Sequence, residues 1–168
     1  IFIYTPNHKI LVDCGLHQTN DRYADFLVNN RKFKEFKAKE IDYIFITHLH
    51  ADHVLGCPKL YKDGCIGTTV ISENSTQVLK DMAYDSAYIS ERDILLINSQ
   101  NNKNYNPLYS IEDVNNMLDH TMEFSTNQKY YIDDELSFEL IPSGHLLGSC
   151  QIKLYITVGE TTKTILVT

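Results

Sequence analysis

The sequence contains no apolar run long enough to cross a membrane. A transmembrane helix needs about 20 predominantly apolar residues, and no stretch of this 168-residue chain approaches that length. The first residues also lack the charged flank and apolar core of a secretory signal peptide, so any targeting segment would lie outside this sequence. We therefore expect no membrane partner.

Cysteine spacing of the metal-ribbon type is also missing. The chain has four scattered cysteines, Cys14, Cys57, Cys65 and Cys150. This many thiols without paired spacing favours free cysteines in a reducing compartment over disulfides. We accordingly expect a cytoplasmic protein.

An excess of positive charge is absent as well. The chain carries 15 basic and 22 acidic residues, a net charge of −7, which argues against a broad electrostatic surface for nucleic acid. A phosphate substrate stays possible, because bound divalent cations would supply positive charge locally. The remaining composition, 43% hydrophobic and 22% charged, is that of one globular domain with a real core.

The sequence does contain a dense cluster of metal-ligand side chains. It follows an apolar run over residues 41–46, which has the length and β-branched content of a buried strand. Within residues 47–53, the spacing predicts that His48 and His50 point at one metal ion, and that Asp52 and His53 serve a second. These ligands suit Zn²⁺, with Mn or Fe as alternatives. A histidine-rich polar turn and a structural metal site without catalysis are the competing interpretations.

Two other segments bring polar side chains to strand ends. Asp13 follows a predicted strand, and we interpret its carboxylate as orienting a ligating imidazole through the free ring nitrogen; an Asx-turn is the alternative. His145 lies between two glycines on a tight loop after another strand. That position makes His145 a further candidate ligand.

The remaining pattern mixes helices with strands. We predict a hairpin over 1–12, strands at 68–72, 136–141, 150–156 and 164–168, and helices within 20–39 and at 54–61, 75–90 and 110–119, with 98–107 as a loop. Such alternation indicates an α/β or α+β sandwich rather than a helical bundle.

The order of these motifs resembles the metallo-β-lactamase fold hydrolases. The resemblance rests on Val12-Asp13-Cys14-Gly15, on His48-x-His50-x-Asp52-His53 and on Ser143-Gly144-His145-Leu146-Leu147-Gly148-Ser149, and it covers nearly the whole chain. The last stretch is similar to the RNA-processing branch that carries an inserted beta-CASP domain. That branch includes ribonuclease J and the endonuclease subunit of the pre-mRNA cleavage and polyadenylation specificity factor.

The resemblance implies an αββα sandwich and a two-metal nuclease. In it, His48, His50 and His145 would bind one ion, and Asp52 and His53 the other, with two Zn²⁺ ions in the intact enzyme and Mn or Fe possible. A hydroxide held between the ions would attack a phosphodiester of RNA, or of single-stranded DNA, with Asp52 orienting the water. His50 and Asp52 would be the catalytic residues.

The resemblance also implies that residues 1–168 are the N-terminal part of a metallo-β-lactamase domain. The beta-CASP domain, an Asp that bridges the metals after the last strand, and a later His all lie outside the chain. We expect an incomplete sandwich that folds at least partly, binds metal more weakly than an intact enzyme and has little or no nuclease activity alone. A small-molecule ester, thioester or lactone hydrolase and a non-catalytic RNA-processing subunit are the alternative functions, and no pattern indicates an oligomeric state.

Overall fold

A computed structural model describes all 168 residues, which form two β-sheets and five α-helices. In chain order the elements are β1 (Phe2–Tyr4), β2 (Lys9–Val12), α1 (Arg22–Asn29), a 3-10 turn (Ala38–Glu40), β3 (Tyr43–Phe45), α2 (Ala51–Val54), α3 (Cys57–Lys62), β4 (Thr68–Ser72), α4 (Thr76–Asn101), α5 (Ile111–Asp119), β5 (Thr121–Phe124), β6 (Lys129–Tyr131), β7 (Leu136–Pro142), β8 (Cys150–Val158) and β9 (Thr161–Val167). None of the helices combines the length and the apolar character that a membrane span requires.

The two sheets differ in how their strands are connected. The first has the order β1-β2-β3-β4-β5, in which β1 pairs antiparallel with β2 and all other pairs are parallel. Parallel neighbours require crossover connections, and these contain α1 to α5. The second sheet is an antiparallel meander, β6-β7-β8-β9, whose strands need only short turns.

The first sheet is buried on both faces because its strands alternate side chains between two cores. In β2, Leu11 joins the core formed with the helices, whereas Ile10 and Val12 join the core formed with the second sheet. At the centre of the sheet–sheet core, the rings of Phe45 and Phe138 meet edge to face with centroids 5.0 Å apart. The layers are therefore helices, first sheet and second sheet, as in three of the four layers of an αββα sandwich. The predicted mixed fold class is confirmed.

Several element boundaries differ from the sequence prediction. The fourth helix continues to Asn101, well into the predicted loop 98–107, because Ile94 and Ile97 still reach the core. The predicted helix 54–61 is two short helices, α2 and α3. The strand β5 was not predicted at all; it is an edge strand, only four residues long, that pairs with β4 alone.

The cysteines are as the sequence predicted. All four are free, and all four are buried. Burial raises the pKa of the Cys150 thiol to about 12, which keeps the thiol protonated and unreactive at neutral pH.

The sheet–sheet core generates a stability prediction. Replacement of Phe138 by Ala removes a ring that packs against Phe45, Phe124 and Tyr130, and we expect the free energy of unfolding to fall by about 3–5 kcal/mol. Urea denaturation followed by circular dichroism measures this change. The control is Tyr131→Ala at a side chain that is 75% exposed, for which we expect a change within about 0.5 kcal/mol. Equal effects of the two substitutions would contradict the assigned core.

Candidate metal centre

The histidine-rich stretch lies where the parallel strands β2 and β3 end side by side. The strand β3 ends at Phe45, and α2 begins at Ala51 with His50 as its N-cap residue. The ligand-type side chains therefore belong to a loop and to one helical turn, rather than to the strand whose alternation we used to predict them. Carboxyl ends of parallel strands are where α/β proteins commonly build their sites.

Three of the five predicted ligands converge. One ring nitrogen from each of His48, His50 and His145 lies within 4.8 Å of the others, and His48 Nε2 is 3.1 Å from His50 Nδ1. Two imidazole nitrogens on one tetrahedral Zn²⁺, each at about 2.0 Å, are separated by roughly 3.3 Å. The His48–His50 pair is thus close to the spacing that one ion requires, and the donor set of three imidazoles fits zinc.

The other two predicted ligands form an adjacent pair. His53 Nε2 is 3.7 Å from the Asp52 carboxylate, and the His53 ring lies 3.9 Å, centroid to centroid, from the ring of His48. No third ligand-type side chain joins this pair within the chain. The five predicted residues therefore form one contiguous patch, with a three-ligand part and a two-ligand part.

Asp13 lies beneath this patch and contacts its backbone and side chains. Its φ of 59° is in the left-handed region, which Asp adopts more readily than most residues. The carboxylate accepts hydrogen bonds from the Thr47 backbone N–H at 2.8 Å, from the Thr47 hydroxyl at 2.7 Å and from His53 Nδ1 at 2.8 Å. The His53 proton is thereby held on Nδ1, and Nε2 is left free to bind an ion.

Thr47 extends this arrangement to a second histidine. Its hydroxyl has one proton, which it donates to Asp13, so the contact of 3.0 Å with His48 Nδ1 requires that the ring donate to the hydroxyl oxygen. His48 then presents an unprotonated Nε2. Burial, followed by the nearby His53 and His50, also lowers the pKa of His48, which favours the neutral imidazole that metal binding needs.

Serine hydroxyls hold the loop that carries His145. Ser149 Oγ accepts the backbone N–H groups of His145 at 3.1 Å and Leu146 at 2.8 Å. The loop is also fixed from outside, because the Ser72 hydroxyl at the end of β4 donates to the carbonyl of Gly148. Ser149, in the loop itself, and Ser72, at the end of β4, together position the backbone around His145.

Gly15 is required by close backbone packing. A Cβ atom at this position would overlap the backbone of Asp52 and His53. The approach is fixed by hydrogen bonds from Cys14 N–H to the His53 carbonyl, 2.7 Å, and from Leu16 N–H to the Ala51 carbonyl, 3.0 Å. The chain after β2 thus forms the support on which the first turn of α2 rests.

Three of these supporting residues were missed by sequence reasoning, namely Thr47, Ser149 and Ser72. Thr47 and Ser149 flank predicted ligand motifs, and a polar residue beside a ligand is a usable signal. Ser72 had no such signal, because its partner Gly148 is 76 positions away.

Comparison with known proteins identifies the family. The profile of the Metallo-beta-lactamase superfamily matches residues 1–122 of the chain. The chain belongs to this superfamily. Among solved structures, a metallo-beta-lactamase of Cronobacter sakazakii aligns over 98% of the chain and 50% of its own length with a TM-score of 0.58 and 19% identity. Likeness at this identity is one of fold, and it confirms the predicted fold class; membership of the superfamily implies metal ions.

Relatives of the chain include two proteins named as RNases. Probable RNase MJ4 of Methanocaldococcus jannaschii is 30% identical over 92% of the chain and 32% of its own length. Ribonuclease TTHA0252 of Thermus thermophilus is 28% identical over 84% of the chain and 28% of its own length. Transcription termination factor FttA of Lokiarchaeum sp. is 28% identical over 95% of the chain and 23% of its own length. The chain spans about a third or less of the length of these relatives. These relatives confirm the predicted resemblance to the RNA-processing branch.

The packing at Gly15 generates a prediction. Gly15→Ala forces the backbone of α2 to move, and we expect a loss of at least about 3 kcal/mol in the free energy of unfolding. The matched control is Gly159→Ala, at a turn glycine with φ of 63° and no atom near the added methyl group, for which left-handed strain costs about 1–2 kcal/mol. Chemical denaturation compares the two. A smaller effect at Gly15 than at Gly159 would refute the close approach.

The Thr47 hydroxyl generates a second prediction. Thr47→Val keeps the side-chain shape but leaves His48 Nδ1 and Asp13 without their shared partner, so we expect Zn²⁺ affinity of the full-length protein to fall about 10- to 100-fold. Thr47→Ser retains the hydroxyl and should bind Zn²⁺ nearly as wild type. Competition with a chromogenic chelator measures both. Wild-type affinity in Thr47→Val would show that the hydroxyl does not orient the ligands.

Proposed function

We propose that this chain carries the metal ligands of a metal-dependent hydrolase that cleaves RNA phosphodiester bonds. The observation that carries the proposal is the convergence of His48, His50 and His145 within 4.8 Å, in a chain whose relatives include proteins named as RNases. We assign these three residues to one zinc ion and Asp52 with His53 to a second. Mn or Fe could replace zinc with the same donors.

Bound zinc would supply Lewis-acid activation of water and stabilisation of the negative charge that develops at phosphorus. The residues of the chain have separate tasks. The three imidazoles would hold the ion, and Asp13 and Thr47 keep the rings of His53 and His48 in the tautomer that can bind it. Asp52, with its side chain 66% exposed, faces solvent, where it would orient the attacking water.

We further infer that residues 1–168 are part of a longer metallo-β-lactamase domain with a beta-CASP domain beyond them. The support is the length of the relatives, of which the chain spans about a third or less, together with the two-ligand state of the Asp52–His53 pair. Four free, buried cysteines support a reducing, cytoplasmic location. The substrate would be RNA, with single-stranded DNA as a second polymer of the same chemistry.

The test is metal content together with RNA cleavage by the full-length protein. We expect about two zinc ions per chain by elemental analysis and cleavage of single-stranded RNA that a chelator abolishes. His50→Ala should lower metal content and reduce cleavage at least about 100-fold. His120→Ala is the control, because that side chain lies outside the cluster, where its Nδ1 contacts the Asn116 carbonyl.

Lactone and thioester substrates are assayed in parallel. Turnover of one of them without RNA cleavage would replace the nuclease proposal with a small-molecule hydrolase. Absence of metal from the wild-type protein would leave a non-catalytic subunit.

A further inference from the structure

A strongly basic segment lies outside the metal centre. Residues 31–40 read Arg-Lys-Phe-Lys-Glu-Phe-Lys-Ala-Lys-Glu, with five basic and two acidic side chains, in a chain whose net charge is −7. Positive charge is therefore concentrated in one short stretch between α1 and β3. The negative net charge of the whole chain therefore does not describe the charge of this segment.

The segment is held to the core by its apolar residues. Phe36 packs on the helix-side core and lies 5.1 Å, ring to ring, from Phe2, and Ala38 is buried. The Phe33 ring stacks on Phe36 with centroids 4.6 Å apart and an angle of 19°, while one face of Phe33 stays in contact with solvent, since the side chain is 40% exposed. The basic side chains between these anchors are exposed.

A groove separates the basic segment from the loop after β2. Its volume is about 340 Å³, with Arg31, Lys32, Phe33 and Lys34 on one side and residues 15–17 on the other. Gly15, at the second wall, packs on the backbone of Asp52 and His53. The wall of the groove at Gly15 therefore packs against the segment that carries Asp52 and His53.

The cations that the basic segment contributes to the groove are not neutralised by ion pairs, whereas Lys59, which also lines the groove, pairs with Asp63. Arg31, Lys32 and Lys34 take part in none of the salt bridges of the structure. The nearby Glu40 carboxylate is occupied by Lys9 at 2.6 Å and Lys37 at 3.9 Å. Glu35 is an acidic residue that also lines the groove. Since Arg31, Lys32 and Lys34 outnumber it, the local surface retains an excess of positive charge.

We propose that Arg31, Lys32, Phe33 and Lys34 form a binding surface for single-stranded RNA beside the metal centre. The three cations would contact successive phosphates, and the exposed face of Phe33 would stack on a base, which is the combination that single-strand binding proteins use. A concave groove with one aromatic ring fits a polynucleotide strand better than a flat bilayer surface. The inference rests on the proposed ribonuclease function, because this surface would lead the RNA strand to the metal centre.

The test measures RNA binding by the full-length protein in a His50→Ala background, where cleavage is suppressed. The probe is a fluorescein-labelled oligouridylate, followed by anisotropy at several KCl concentrations. In Lys32→Gln/Lys34→Gln, we expect about tenfold weaker binding at low salt, and a salt dependence of log Kd that is shallower by about 1.4, because each single-strand phosphate contact contributes about 0.7. Phe33→Ala should weaken binding about fivefold or more without changing the salt dependence.

The matched control is Lys103→Gln/Lys163→Gln, which removes the same charge at two exposed lysines elsewhere and should bind RNA as the parent protein does. Equal affinity and salt dependence in the Lys32/Lys34 variant and its parent would overturn the surface. Binding of phosphatidylserine vesicles through Lys32 and Lys34, without RNA binding, would also overturn it and point to a membrane.

Cleavage by the protein with His50 intact separates this proposal from the nuclease proposal. If the Lys32/Lys34 substitutions change neither KM nor kcat of RNA cleavage, the binding surface is refuted and the nuclease proposal is supported. If RNA binding depends on these lysines but the protein cleaves no RNA, the binding surface is supported and the nuclease proposal is refuted.

Discussion

The Asp13 carboxylate is the contact on which the rest of the site depends. Asp13 directly follows β2, and its carboxylate accepts two hydrogen bonds from Thr47 and one from His53, which fixes both ends of the histidine-rich stretch. A carboxylate can only accept hydrogen bonds, so it fixes the direction of each of them. The consequence is chemical as well as structural: the rings of His48 and His53 are held with Nε2 free, in the form that binds a metal ion.

The second constraint is the edge where the two sheets meet. The backbone N–H of Cys150, at the start of β8, donates to the Thr47 carbonyl at 2.8 Å. That bond joins the loop of His145 to the loop of His48, although the two histidines are almost a hundred positions apart. The Phe45–Phe138 core beneath it keeps the sheets at the distance that this bond requires. The loop of His145, between two strands of the second sheet, is thereby held beside the loop of His48 and His50, which follows a strand of the first sheet.

Charge is distributed unevenly over the molecule in a way that suits a polyanionic substrate. The chain is acidic overall, and the metal patch itself offers only imidazoles and the exposed Asp52 carboxylate. Bound metal ions would make that patch positive, and the basic groove at 31–34 would continue the positive surface away from it. A strand of RNA would then meet favourable potential along a path, whereas the acidic remainder of the surface would repel it.

The sequence by itself determined the elements and the ligand types. Alternating and continuous apolar runs identified most strands, and Ser110 with Asp113 marked the start of α5, where the structure has a capping box. The density of His and Asp at 48–53 indicated a metal site, and Asp13 was assigned its role from its position after a strand. Most of the strand predictions and the start of α5 were confirmed, because they depend on residues that are close in sequence. The metal ligands and the role of Asp13 stay predictions.

Only the tertiary structure decided which distant groups meet. The hydrogen bond between Ser72 and Gly148, the support of α2 by Gly15 and the groove beside Arg31 each join segments that local patterns treat separately. Helix α4 passes its predicted end for the same reason, since Ile94 and Ile97 are buried by partners elsewhere in the chain. Local propensity sets what a segment can form, and the packing of one segment against another selects what it does form.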